Sequence, residues 1–418
     1  MNFQTTKVVS PLRVMLINPL LPASQLTMTK ILSGNVFGHD QFIDLILLVY
    51  ANETGQAEML AQEYISCAFA CFNSIRITSD IPCLSDADVF VFMTSFSNPN
   101  SFDFNDMDST ELFDNLYLII KIAASFAKPL SAKQELQDIN PKKKTKEVKE
   151  PIKAQRKPII VADGLIVIDI LMILAKRLPP DILFFVTPLR SIAKTTLSDL
   201  LKVKCSDLNT VYVWGANDIV FHTEFGVPYL KDDIVNPRDP SDWDAISPEM
   251  LEKLNMEHIQ FNASWMKKEF IDKMVKSSSA NPYGCMCKSA EMAKTLHGIW
   301  RTRCSEHAKY FKVSVGVISD GSLGTVKGLP YVLPLIMTGE TWSVDTLFEE
   351  TSHLRHEIRR INAAAREHHQ KLVPYCKKFL QDNVIQKTFI ATSPYSESES
   401  SYSSLATSQS SGRSDDDY

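Results

Sequence analysis

The sequence predicts an α/β protein whose first half is a doubly wound parallel sheet. Three observations predict it. Short, continuous apolar runs recur between residues 13 and 214. Segments with helical spacing of apolar residues separate those runs. The apolar fraction of 44% and charged fraction of 22% are those of an ordinary soluble globular chain. Runs that lack polar alternation belong to strands covered on both faces, which is what helices on either side of a parallel sheet provide.

In chain order, "RVMLIN" (13–18) reads as a strand closed by "PLLP", and "QLTMTKIL" (25–32) as a helix. "FIDLILLVY" (42–50) is a second strand, followed by the helix "AEMLAQEYISCAF" (57–69). "DVFVFMT" (88–94) is a third strand, leading through an acidic loop to the helix "ELFDNLYLIIKIAASFA" (111–127). "KPIIVAD" (157–163), "ILFFVT" (182–187) and "VYVW" (211–214) continue the strand series. From about residue 260 the texture changes. "NASWMKKEFIDKMV" opens a helix with Asn262 or Ser264 as cap, and "SAEMAKTLHGIW" (289–300) is another helix. "KVSVGVISDG" (312–321), "YVLPLIM" (331–337) and "ETWSV" (340–344) suit an antiparallel unit, and a helix runs from about Thr346 to Asp382.

Two stretches stand apart. Residues 140–157, "NPKKKTKEVKEPIKAQRK", are Lys-rich and almost free of apolar side chains. This segment is a solvated insertion (about 131–157) or, from Lys142 to Lys157, a docking arm for an acidic partner such as tubulin, RNA or an acidic protein tail. Residues 386–418 form a Ser-rich tail, expected to be disordered, whose "SPY", "SESES" and "SDDDY" suit acidophilic kinases.

The bulk numbers narrow the function classes. A chain of 418 residues allows two or three domains, or one two-layer enzyme with a tail. A net charge of -5 does not suggest a nucleic-acid or membrane partner for the whole molecule. The N-terminus lacks the apolar core and cleavage site of a signal peptide, and no apolar run reaches the ~20 residues needed to span a bilayer. Eight cysteines dispersed over so long a chain read as reduced thiols. The expectation is a cytoplasmic protein.

"VYVWG" (211–215), "SWMKKEF" (264–270), "HGIW" (297–300) and "VGVISDG" (315–321) resemble the cytosolic malate dehydrogenases. "RVMLIN" through "SGNVFG" (13–38) runs without a gap beside that family's first strand, phosphate turn and first helix, as does "AKTTLSDLLKVKCSDLNTVYVWG" (193–215) beside its counterpart. The resemblance covers about residues 11–385, and within the family it looks most like the divergent malate dehydrogenase 1B group. It implies a Rossmann-type NAD domain (11–210), an α/β malate-dehydrogenase C-terminal domain (211–385), a homodimer, and hydride transfer between NAD and malate or oxaloacetate.

The resemblance also says where the chemistry should sit, and this chain departs there. The three small residues of the pyrophosphate turn align with Asn18, Leu21 and Ser24. Asn18 suits a left-handed turn, Leu21 is bulky, and Pro19 and Pro22 remove backbone donors. The acidic residue that holds the ribose aligns with Val49, next to Tyr50; Asn52 or Glu53 could serve only if the loop shifts. The substrate arginines of the mobile loop align with Asn98 and Pro99, and no arginine lies between Arg76 and Arg156. The family's aspartate and third arginine align with Leu189 and Ile192, and its catalytic histidine aligns with Asn217. The turn before Gly164 holds Asp163 in place of an amide. The expectation is a pseudoenzyme acting as a structural or interaction module, with no cofactor, or NAD alone if some binding survives. Two alternatives remain: an active dehydrogenase using a relocated group such as His222 or Arg190, and a nucleotide sensor without turnover.

Cys285, Cys287 and Cys304 lack zinc-site spacing and read as thiols of a helical region. Cys67 and Cys71, one turn apart, read as core packing, and His353, His356, His368 and His369 as the wet face of the last helix.

Overall fold

The computed structural model describes residues 10–101, 110–128, 156–201, 204–205, 211–225, 270–280, 283–304, 310–346 and 352–385. Most of the Lys-rich segment, the Ser-rich tail and the helix start expected at 262–269 lie outside the described residues.

The α/β expectation holds. Six strands, β1 (Leu12–Ile17), β2 (Ile43–Leu48), β3 (Phe72–Thr78), β4 (Val89–Phe92), β5 (Ile159–Ala162) and β6 (Leu183–Phe185), stand in the order β3-β2-β1-β4-β5-β6. All are parallel. This is the doubly wound dinucleotide-binding order, with the reversal of strand order beside β1. The sheet then continues antiparallel through β9 (Phe311–Ile318), β10 (Pro330–Thr338), β7 (Val211–Gly215) and β8 (Phe221–Phe225), with β11 (Thr341–Val344) also on β10.

Burial explains the sequence texture. Every residue of β4 and β5 is buried, because apolar clusters cover both faces of the sheet. On one face Val14, Leu16, Leu45 and Leu47 meet α1 (Pro22–Leu32), α2 (Thr54–Ser66) and, through Met292, Leu296 and Trp300, the helix α7 (Cys285–Cys304). On the other, Met15, Ile17, Phe90 and Phe92 meet α3 (Thr110–Phe126), α4 (Leu165–Leu174) and the end of α8 (Ser352–Phe379). Two further helices complete the frame, α5 (Leu189–Leu201) and α6 (Ile271–Ala280).

Some elements differ from the sequence reading. α1 begins at Pro22, three residues before the expected start, because proline suits the first helical turn, where its missing N–H is not needed. α8 starts at Ser352, passes through Pro374 without stopping, and ends in a wide turn at Leu380–Ile385. Cys71 is buried as expected, but Cys67 at the end of α2 is exposed. His356 is exposed as expected, but His368 and His369 are a second correction. His369 Nδ1 lies 2.7 Å from Asp169 Oδ1, and His368 Nδ1 lies 3.6 Å from Oδ2, on a carboxylate fully buried in the apolar helix α4. A charge so placed needs partners, and α8 supplies them.

Candidate functional site

The carboxyl ends of β1, β2, β4 and β5 and the β7–β8 turn converge on one region, where a doubly wound sheet places its ligands. At the first turn, Asn18 adopts φ 59°, and its Nδ2 donates to Met93 O at 2.7 Å, tying the turn to the end of β4. Ser24 Oγ donates to Asn18 O at 2.7 Å. Leu21 is the N-cap residue and supplies no capping side-chain bond; it packs against the core beside α1. Pro22 follows it, so the first residue of the helix has no N–H to offer an anion.

At the end of β2, Val49 is buried and its N–H is taken by Thr78 O at 3.0 Å. Glu53 does not reach outward, because its Oε2 accepts the Tyr50 N–H at 3.1 Å. Tyr50 reaches across to α3, where its hydroxyl donates to Asp114 O at 2.7 Å. Burial pushes that phenol well above its ordinary range, with the Asp114 charge adding to the effect.

The loop after β4 is held at several points. Asp163 accepts the Thr94 N–H at 2.9 Å and the Thr94 hydroxyl. Lys288 on α7 reaches the same carboxylate at 3.3 Å and donates to Thr94 O and Phe96 O at 3.0 and 3.2 Å. Burial raises Asp163 despite the opposing lysine and hydrogen bonds. Pro99 O accepts the Ile166 N–H at 3.1 Å, and a Cβ on Gly164 would lie 2.3 Å from that same oxygen. Asn100 Oδ1 accepts the Leu165 N–H at 2.9 Å, so the loop seals the start of α4.

The loop also meets the β7–β8 turn. Asn98 Nδ2 donates to Asp218 Oδ2 at 2.8 Å, Tyr283 OH donates to the same oxygen at 3.2 Å, and Asn100 Nδ2 donates to Tyr283 OH at 3.0 Å. Burial pushes Asp218 up, against the pull of these donors, and raises Tyr283 well above its usual range. Asn217 Oδ1 accepts the N–H groups of Ile219 and Val220 at 3.0 and 2.7 Å, so this amide is spent on closing its own turn.

The structure therefore brings Asn98, Pro99, Asp163 and the Asn217 turn together, while Leu189 and Ile192 are taken up in apolar packing against β7 and β8. Leu189 is fully buried in an apolar cluster with Val213, Phe221, Phe270 and Met274, and Ile192 packs against that cluster. His222 stands opposite Trp214 in the β7–β8 ladder, buried, with its ring 4.7 Å from the indole. Lys288, Tyr283 and Asn100 were not foreseen; "NPYGCMCK" has no spacing that marks them. Cys285 is exposed and Cys287 half-buried at the start of α7. Among the described residues no cluster of three metal-ligating side chains occurs, and no helix is long and apolar enough to cross a membrane.

This strand order and site position define a dinucleotide-binding type of α/β fold. Solved structures give the nearer comparison. The malate dehydrogenase of Naegleria fowleri superposes with a TM-score of 0.64 at 14% identity, over 88% of this chain and 100% of that one. The Trichomonas vaginalis lactate dehydrogenase, solved with NADH and oxamate, gives 0.61 at 14% identity, over 88% and 99%. The Plasmodium falciparum malate dehydrogenase gives 0.57 at 14% identity, over 88% and 99%. The chain thus has the fold of the malate and lactate dehydrogenases. No protein-family model and no curated protein sequence matches it.

Proposed function

We propose that this chain is a malate-dehydrogenase-like pseudoenzyme, kept as a structural or interaction module, and nearest within that family to the 1B group. One observation carries the reading. The side chain at the position aligned with the catalytic histidine, Asn217, is consumed by two backbone N–H groups of its own turn. An amide has no useful basicity near neutral pH, and loss of general acid–base help alone costs about 10²–10⁴-fold in rate. The surrounding groups point the same way. Asn98 holds Asp218, where a substrate loop would need a guanidinium free to swing, and Leu189 is core.

NAD does not fit by the means its enzymes use. Leu21 and Pro22 stand where a small residue and a donor are needed, Val49 has no oxygen for a ribose, and Tyr50 bridges β2 to α3. The same reading makes the protein cytoplasmic and homodimeric, organised as 11–210 and 211–385, with the segment from Lys142 to Lys157 or the Ser-rich tail as contact for a protein partner.

The test is NADH-linked oxaloacetate reduction by the purified chain, alongside NADH fluorescence titration. The expected result is no turnover above background and no saturable binding at millimolar NADH. Turnover that disappears in His222→Asn revives the relocated-site alternative, and saturable NADH binding without turnover establishes the sensor.

A further inference from the structure

We propose that Arg190, Lys194 and Lys294 form an oxyanion site between α5 and α7 that takes a phosphate monoester group. The site lies on a different face of α5 from the residues that match the dehydrogenase pocket. Leu189, Ala193 and Leu197 turn into the apolar cluster of β7, β8 and α6. Arg190 and Lys194, one helical turn apart, instead share the side where Ser191 meets α7. There Ser191 Oγ donates to Glu291 Oε1, and Lys294 Nζ reaches Ser191 Oγ at 3.2 Å and Glu291 Oε1 at 2.9 Å.

Arg190 faces Glu291, Lys294 bonds the same carboxylate, and Lys194 faces both Arg190 and Lys294, so these four groups carry a surplus of two positive charges (three less one). Lys194 is driven below its ordinary value by burial first, then by Arg190 and Lys294. Arg190 is lowered mainly by burial, with Glu291 opposing. Its Nε is shielded from solvent and has no hydrogen-bond partner among the described residues. Like charges held together around a buried, unsatisfied donor are costly unless an anion completes them. A phosphate monoester carries about two negative charges and three acceptor oxygens, which matches both the surplus and the fork of a guanidinium. The inference does not depend on the catalytic reading, since binding of phosphate needs no turnover.

The experiment titrates the full chain, at constant ionic strength, with inorganic phosphate and separately with a phosphoserine peptide of the sequence SESES found at 396–400. Heteronuclear NMR shifts and calorimetry are the readouts. Saturable binding is expected in the millimolar range, weakened by roughly tenfold or more in Arg190→Gln and in Lys194→Gln. Arg190→Lys should weaken it as well, because an ammonium cannot reproduce the fork. A tighter phosphopeptide assigns the site to a protein ligand, and equal affinity for both assigns it to a free phosphate compound. Lys294→Gln, at an exposed position, keeps the test valid if Arg190→Gln does not fold. Absence of a saturable phosphate effect, or unchanged affinity in Arg190→Gln and Lys294→Gln, overturns the proposal.

Discussion

Asn98 Nδ2 and Asp218 Oδ2 meet at 2.8 Å across 120 residues of sequence, joining the loop after β4 to the turn between β7 and β8. The bond pins the loop against that turn from the side-chain level.

Removing that donor leaves a buried carboxylate poorly served. Asn98→Ala is expected to destabilise the protein by about 1–3 kcal/mol in urea unfolding. Hydrogen exchange should quicken first at the amides of Asn100, Leu165 and Ile166, which the loop holds. Unchanged exchange there would mean that the bond does not fix the loop.

Lys288 and Asp163 are a buried pair, with side chains 8% and 0% exposed. Lys288→Met strands the carboxylate and should cost about 3–5 kcal/mol, whereas the double variant Asp163→Asn, Lys288→Met should recover most of the loss. Equal destabilisation by the single and double changes would show that the lysine acts through packing rather than charge.

On the proposed pseudoenzyme reading, a histidine placed at 217 does not by itself give oxaloacetate reduction. Asn217→His forfeits the oxygen that accepts the Ile219 and Val220 amides, costing about 1 kcal/mol, and gains no anion clamp. Oxaloacetate reduction by this variant should stay at background. A measurable rate would show that substrate is held by groups other than the loop at Asn98 and Pro99.

The histidine clasp on α4 makes stability depend on pH. The Asp169 hydrogen bond raises His369 above 6.5, so its contribution is complete below that value and fades as pH climbs through the raised value. Burial pushes Asp169 up, but the bonds from His368 and His369 outweigh it and hold the group below 3.8; its contribution is complete above that value and fades only in stronger acid. Cys376, on the same helix and within reach of Asp169, is pushed to about 12 by burial and does not enter this window. Denaturant midpoints should therefore be highest between about pH 4 and 6.5 and decline toward pH 9, and His369→Gln should flatten the decline.

Legibility in the sequence followed the physics of each element. Runs such as "VFVF" and "IIVA" were readable because strands buried on both faces tolerate only apolar residues. The helix "LIVIDILMIL" was not, since a helix buried nearly all round has no wet face to create a period. β3 escaped for the opposite reason: "FNSIRIT", at the sheet edge, has no fully buried residue, and polar side chains interrupt its apolar run. The positions of Asn98, Pro99, Asp163 and Asn217 came through resemblance, yet what they bond could not. Lys288 and Tyr283 lie more than 60 residues from Asp218 and Asp163 along the chain, and only the fold brings them close.

The contact between Pro99 and Gly164 has a consequence for how this protein can change. A side chain at 164 would collide with the Pro99 carbonyl, which already receives the amide of Ile166. Neither segment can be altered freely while the other stays, so they must be inherited as a matched pair. Any variant given a swinging loop here would first have to loosen the start of α4, passing through forms less stable than the present one.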